Sequence, residues 1–176
     1  MTKPAVVFIG LVDPKSPTNV GSVMRAAGCY QVDEVHYCGD RFDRAARYQT
    51  DTKDMLGKIP LVRSDNLLAG LPRGMKTVCV ELAEGATPLP AFIHPEQAIY
   101  LFGPEDGSIP QSLIDRADHV VYVPTVTCMN LAASVNVLLY DRLAKSPSYR
   151  HGDDVIRSSR DTNNRLKVRA PRIQGN

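Results

Sequence analysis

Residues Ile99–Pro110, IYLFGPEDGSIP, and Val123–Asp141, VPTVTCMNLAASVNVLLYD, each carry an apolar, strand-like run into a polar turn that opens a helix. Such a turn leaves backbone N–H and C=O groups free to hold a ligand. A third stretch near the start, Asn19–Gly28 (NVGSVMRAAG), sets one arginine, Arg25, on a helix of otherwise small and apolar residues. Small residues let a ligand or a second backbone approach closely. A guanidinium in that setting either pairs with an internal carboxylate or clamps a phosphate with its planar fork.

Outward from these three stretches, strand and helix alternate. Ala5 to Val12 is a continuous apolar strand, followed by a helix from Asn19 to Cys29 with Thr18 or Asn19 as its cap. Short strands are predicted at Val35 to Cys38, Ile59 to Val62, Thr77 to Leu82, Ile99 to Gly103 and Val120 to Val123. Helices are predicted at Asp65 to Gly70, Ser108 to Ala117 and Cys128 to Ala144, and Arg41 to Leu56 reads as a polar, basic helix or long loop. Short links between alternating elements predict an α/β fold, a mostly parallel sheet covered by helices on both faces.

The chain has 176 residues, of which 43% are hydrophobic, enough for one domain with a real core. No apolar run approaches the roughly 20 residues that cross a bilayer, and Met1 to Leu11 lacks the pattern of a secretory signal, so a cytoplasmic protein is expected. Cys29, Cys38, Cys79 and Cys128 form no C-x-x-C pair and have no histidine at zinc spacing; no metal is expected, and the first three are read as small buried side chains. From Lys145 to Asn176 eight basic residues face three acidic ones, a net of +5 within a chain of +2. Residues 146–176 are therefore expected to be a mobile basic tail behind a domain of residues 1–145, suited to a phosphate-rich partner or simply to solubility.

In the 99–110 stretch, Gly103 permits close approach to the backbone and Gly107 an otherwise strained turn. Ser108 and Gln111 have the spacing of a capping box, and Pro110 suits a first helical turn. Glu105 and Asp106 are thus held at the carboxyl end of a strand, where open sheets bind ligands, or serve only as favourable charges beside a helix start. In the 123–141 stretch, spacing packs most of the helix, whereas Asn130 in its first turn either caps the helix or orients a ligand, and Asn136 needs a partner if buried.

The Asn19…Arg25 pair, the Gly103-Pro104-Glu105-x-Gly107-x-x-Pro110 turn and the Met129-Asn130-Leu131 helix start, in that order, closely resemble the three motifs of the SpoU/TrmH-like branch of the SPOUT RNA methyltransferases. The likeness runs from Ala5 to about Leu143. It implies a deep C-terminal trefoil knot, a homodimer formed through the helices around it, and S-adenosylmethionine bound by Leu82, Gly103, Glu105, Gly107, Val123, Cys128, Met129 and Leu131. It also implies methyl transfer to a ribose 2′-hydroxyl of RNA, with Arg25, Glu105 and Asn130 in catalytic positions and Asn19 nearby. Many relatives have serine where this chain has Cys128. The small size makes the members that modify tRNA the better analogues, and Arg25, Arg41, Arg44, Arg47, Arg165, Lys167 and Arg169 become candidates for RNA contact. A non-catalytic RNA-binding or ribosome-assembly protein that keeps the knot is the competing expectation, and methylation of a protein or small molecule a weaker one.

Overall fold

A computed structural model of the chain describes residues 5–46 and 59–168. Residues through Ser146 form one compact unit and those from Pro147 a second. The first is built on seven parallel strands: β1 (Val6–Val12), β2 (Glu34–Cys38), β3 (Leu61–Arg63), β4 (Lys76–Val80), β5 (Thr87–Pro88), β6 (Gln97–Phe102) and β7 (His119–Tyr122). They lie in the order β3-β2-β1-β6-β4-β7-β5. β6 thus inserts between β1 and β4, with Ile9 beside Tyr100 on one side and Val78 beside Tyr100 on the other. The two-residue β5, which pairs with β7, was not foreseen from sequence.

The pleat sorts side chains by alternate residues. Ile9, Leu11, Val35, Tyr37, Val78, Tyr100, Phe102 and Val121 share one core with helices α1 (Pro17–Cys29) and α4 (Leu131–Ala144). Phe8, Val12, Cys79, Ile99 and Leu101 turn to the other face. Among the described residues, the helical cover expected there is limited to one turn. Leu67 and Met75, from the turns between β3 and β4, cover this face together with Ile109 and the single turn α3 (Gln111–Ile114). Gly10 belongs to the same face because a β-carbon on it would collide with the Leu101 side chain across the β1–β6 pair.

Several elements differ from expectation for local reasons. Residues 65–70 are turns rather than a helix: the Asn66 Oδ1 accepts from Leu68 N at 3.0 Å, and Gly70 takes φ +71°. α1 begins two residues before Asn19 and is capped by Ser16, whose Oγ accepts from Asn19 N at 3.3 Å, with Pro17 at its first position. The expected helix from Ser108 to Ala117 shrinks to α3, and the Ser108–Gln111 capping box does not form. Gly107 has no positive φ, so the turn does not need glycine for its conformation. Of the three cysteines read as buried, Cys79 is, its thiol pushed up to about 11 chiefly by burial, but Cys38 is half-buried and Cys29 exposed. Arg41–Ala46 is a short helix, α2, and residues 47–58 lie outside the described residues. The second unit carries a short helix, α5 (Asp153–Ser159), where only an unstructured tail was expected.

Candidate active site

Three strand ends and two helix starts converge at the carboxyl edge of the sheet. Residues from Val80 to Leu82 at the end of β4, from Phe102 to Gly107 at the end of β6 and from Val123 to Leu131 after β7, together with Asn19 and Ser134, wall a cleft of about 300 Å³. Every residue expected to hold a cofactor, namely Leu82, Gly103, Glu105, Gly107, Val123, Cys128, Met129 and Leu131, lines it. Phe102 and Leu131 are buried in the wall, while Leu82 is 55% exposed at the cleft. At Gly103 a β-carbon would come within 3.1 Å of Ile109 N and 3.3 Å of Glu81 Oε2, so a side chain here would require its neighbours to shift by a few tenths of an ångström.

The polar side of the cleft is one directional hydrogen-bond chain. Asn130 caps α4, its Oδ1 accepting from Ala132 N at 2.9 Å and Ala133 N at 3.3 Å. With that oxygen committed, its Nδ2 donates to Asn19 Oδ1 at 3.2 Å, and Asn19 Nδ2 donates in turn to Glu105 Oε1 at 3.0 Å. Asn130 thus caps the helix, and its amide nitrogen is turned toward Asn19. Asn19, released from capping by Ser16, faces Glu105 instead. Glu105 also accepts from Lys15 N at 2.8 Å and Ser16 N at 3.0 Å, which ties the β6–α3 turn to the start of α1. Burial pushes the Glu105 carboxyl up, but these donors, Asn19 first, outweigh it and hold the group below its ordinary 4.5.

Arg25 is not part of this chain. It lies on α1 six residues beyond Asn19, about 9 Å along the helix. It is exposed and makes no hydrogen bond or ion pair among the described residues. Arg41 is held by Asp13 and Asp106, and Arg44 pairs with Asp40 one turn away at 3.0 Å. Arg165 and Lys167 are exposed in the second unit, and Arg47 and Arg169 lie outside the described residues. Asn136 is exposed and satisfies its Nδ2 on Ala132 O of its own helix at 2.9 Å. Among the described residues no group of three or more His, Cys, Asp or Glu is arranged to hold a metal.

Sequence reading missed Glu81. Its Oε1 accepts from Leu82 N at 3.0 Å and its Oε2 from Ile109 N at 2.9 Å, which fastens the end of β4 to the entry of α3. The available sign was a carboxylate directly after the apolar run Val78–Val80, at the strand end where ligands bind.

Residues 6–140 match the SpoU rRNA Methylase family. The tRNA (cytidine-2′-O-)-methyltransferase TrmJ of Methanocaldococcus jannaschii is 26% identical over 187 residues, covering 93% of this chain and 79% of that protein. The SpoU methyltransferase AviRb from Streptomyces viridochromogenes, solved with the cofactor AdoMet, superposes with a TM-score of 0.65 at 19% identity, over 85% of this chain and 61% of AviRb. A structure describing 2′-OH methylation of C/U34 on tRNA superposes with a TM-score of 0.64 at 24% identity, over 82% of this chain and 93% of that one. The chain thus spans about three-fifths of the AviRb chain and nearly all of the third relative.

Proposed function

The chain belongs to the SpoU rRNA methylase family, and from that premise we propose that it transfers the methyl group of S-adenosylmethionine to a ribose 2′-hydroxyl of RNA, with tRNA as the substrate class. The observation that carries this reading is the Asn130–Asn19–Glu105 chain at the mouth of a cleft lined by all eight expected cofactor positions. The related TrmJ, a tRNA methyltransferase by name, supports the choice of RNA.

The residues present suit the cofactor. Leu82, Phe102, Met129 and Leu131 offer apolar surface for an adenine ring, and Gly103 leaves the backbone of its turn accessible. When bound, S-adenosylmethionine supplies a methyl carbon already activated by its sulfonium. The protein's task is to align the ribose oxygen and ease departure of its proton. Glu105 is poorly suited to take that proton, since three donors already occupy it and depress its basicity. Its part is to orient Asn19 and, through it, Asn130. Each of these amides keeps a second N–H for substrate or cofactor. Arg25, a permanently charged guanidinium, serves to hold an RNA phosphate and polarise the hydroxyl, the proton leaving to phosphate or water.

A homodimer supplies the remaining context. The outer side of α4 exposes Val137, Tyr140 (62%) and Leu143 at spacings of three, and α4 packs on α1, which bears Arg25. We take this layer as the dimer interface and the turns 103–110 and 123–131 as the trefoil knot of the family, with β6 threaded between β1 and β4 in its support. Arg165 and Lys167 add non-specific phosphate contact, residues 146–176 act as a basic extension of the 1–145 domain, and the cytoplasm is the proposed site of action. No helix among the described residues is long and apolar enough to cross a membrane.

Arg25→Ala separates binding from chemistry. Calorimetry is expected to show S-adenosylmethionine affinity within about threefold of wild type while methyl transfer to RNA falls by at least about a hundredfold. Equal loss of both overturns the role given to Arg25, and a wild-type chain that binds RNA but not the cofactor overturns the enzyme in favour of an RNA-binding protein.

A further inference from the structure

Arg41 was a candidate for RNA contact because it opens the basic Arg41–Arg44–Arg47 cluster. Its surroundings describe a different task. The guanidinium sends Nη1 to both oxygens of Asp106 at 2.9 and 3.0 Å, and Nη2 to Asp106 Oδ1 at 2.9 Å and Asp13 O at 2.7 Å. Nε lies 3.0 Å from Asp13 Oδ2. The side chain is only 25% exposed, and its donors all point at protein acceptors. Lys15 Nζ adds a weaker contact to Asp106 at 3.6 Å.

Both ends of this tether are built for it. Asp13, the residue after β1, has φ +44°, in the left-handed region that a non-glycine residue enters only when its surroundings hold it there. That conformation presents its carbonyl to Arg41. Gly39 approaches so closely that a β-carbon on it would strike the Asp13 carboxylate, and its own φ of +85° lets the chain turn from β2 into α2. Asp106 is the neighbour of Glu105, whose carboxylate orients Asn19. One guanidinium therefore bolts together the ends of β1 and β6 and the start of α2.

We propose that Arg41 is a positioning residue for methyl transfer: by gripping Asp106 and Asp13 it fixes the turn that aims Glu105 at Asn19. The claim rests on the methyltransferase reading above. A forked donor is required, because an ammonium is a point charge and cannot span two oxygens of Asp106 and the Asp13 carbonyl together.

The test compares Arg41→Ala, Arg41→Lys, Asp106→Asn and the Arg41→Ala/Asp106→Asn pair in the full chain, with thermal melts to confirm folding. Arg41→Ala is expected to lower kcat by at least about tenfold, with KM for tRNA changed by less than about threefold and the salt dependence of RNA binding unaltered. Arg41→Lys stays impaired despite its charge, and the double variant is no worse than Arg41→Ala alone. Hydrogen exchange at Gly103–Ser108 speeds up in Arg41→Ala whether or not RNA is present. The proposal is overturned if turn protection is unchanged while KM rises, the salt slope flattens by about 1 and Arg41→Lys restores activity, the signature of a phosphate contact. A wild-type chain inactive on RNA sinks the methyltransferase reading instead. In that case the exchange measurement still decides whether Arg41 holds the turn.

Discussion

α4 carries a polar network at each end, and the two are built on opposite terms. At its start, Asn130, Asn19 and Glu105 form an open chain at the cleft, with amide hydrogens left over. Near its other end, Asp141, Arg142 and Lys145 close around His94 and Tyr100, which are 5% and 0% exposed. Arg142 Nη1 donates to the Tyr100 hydroxyl at 2.8 Å. His94 Nε2–H donates to Asp141 Oδ2, an acceptor only, at 2.9 Å, and in the neutral imidazole this leaves Nδ1 to accept the Tyr100 hydroxyl hydrogen at 2.8 Å. Lys145 adds bonds to Asp141 at 2.7 Å and to Leu89 O at 2.7 Å. This network turns inward and fastens residues 89–96 onto the helix, whereas the other keeps amide hydrogens for a ligand. The difference separates groups that hold the fold from groups arranged to act on something else.

Glu105→Ala attacks the open end and should show the largest effect. Methyl transfer is expected to fall by at least about a hundredfold, because Asn19 and the turn lose their common anchor. The thermal midpoint should move little, since the carboxylate is exposed, and a collapse of the fold in a melting curve would erase the contrast between the two ends. Tyr100→Phe attacks the closed end. It strands His94 Nδ1 in a buried site and is expected to cost about 1–3 kcal/mol in urea unfolding, with activity per folded molecule unchanged.

The closed end also sets a pH dependence. Burial, the largest influence on His94, lowers its pKa below the ordinary 6.5 despite the bond to Asp141. Between the folded value and 6.5 the unfolded chain takes up a proton that the folded chain refuses, so stability is full above 6.5 and declines as pH falls toward the folded value. Urea midpoints measured from pH 7.5 to 5 should reveal this slope, and His94→Gln should flatten it. A slope unchanged by that substitution would assign the effect elsewhere. The smallest change is expected from Cys128→Ser. The thiol lines the cleft and makes no hydrogen bond among the described residues, and a serine there should alter S-adenosylmethionine affinity by no more than about twofold.

What could be read from sequence followed the range of the interactions involved. The long strands and α4 were legible because alternation and helical spacing are local. Asn19, Glu105 and Asn130 stood out because each sits where a strand or helix changes character. The Ser108–Gln111 spacing misled, since α3 starts only at Gln111 with Pro110 as its cap residue, and neither member of the box sits where the motif needs it. The partners of Arg41 were hidden by their distance along the chain. Its charge is visible in the sequence, but Asp106 lies 65 residues on, and without that partner a guanidinium in a basic cluster reads as a hand extended to RNA. Glu105 reaches Lys15 across 90 residues, and only the insertion of β6 beside β1 brings the two together.

Nucleoside mass spectrometry on unmodified tRNA incubated with the purified protein and methyl-labelled S-adenosylmethionine bears most directly on the central claim. Label on the ribose of a 2′-O-methylnucleoside, lost in Glu105→Ala and retained in Tyr100→Phe, is the expected result. Label on a base, or none on any RNA while the cofactor binds, would contradict it.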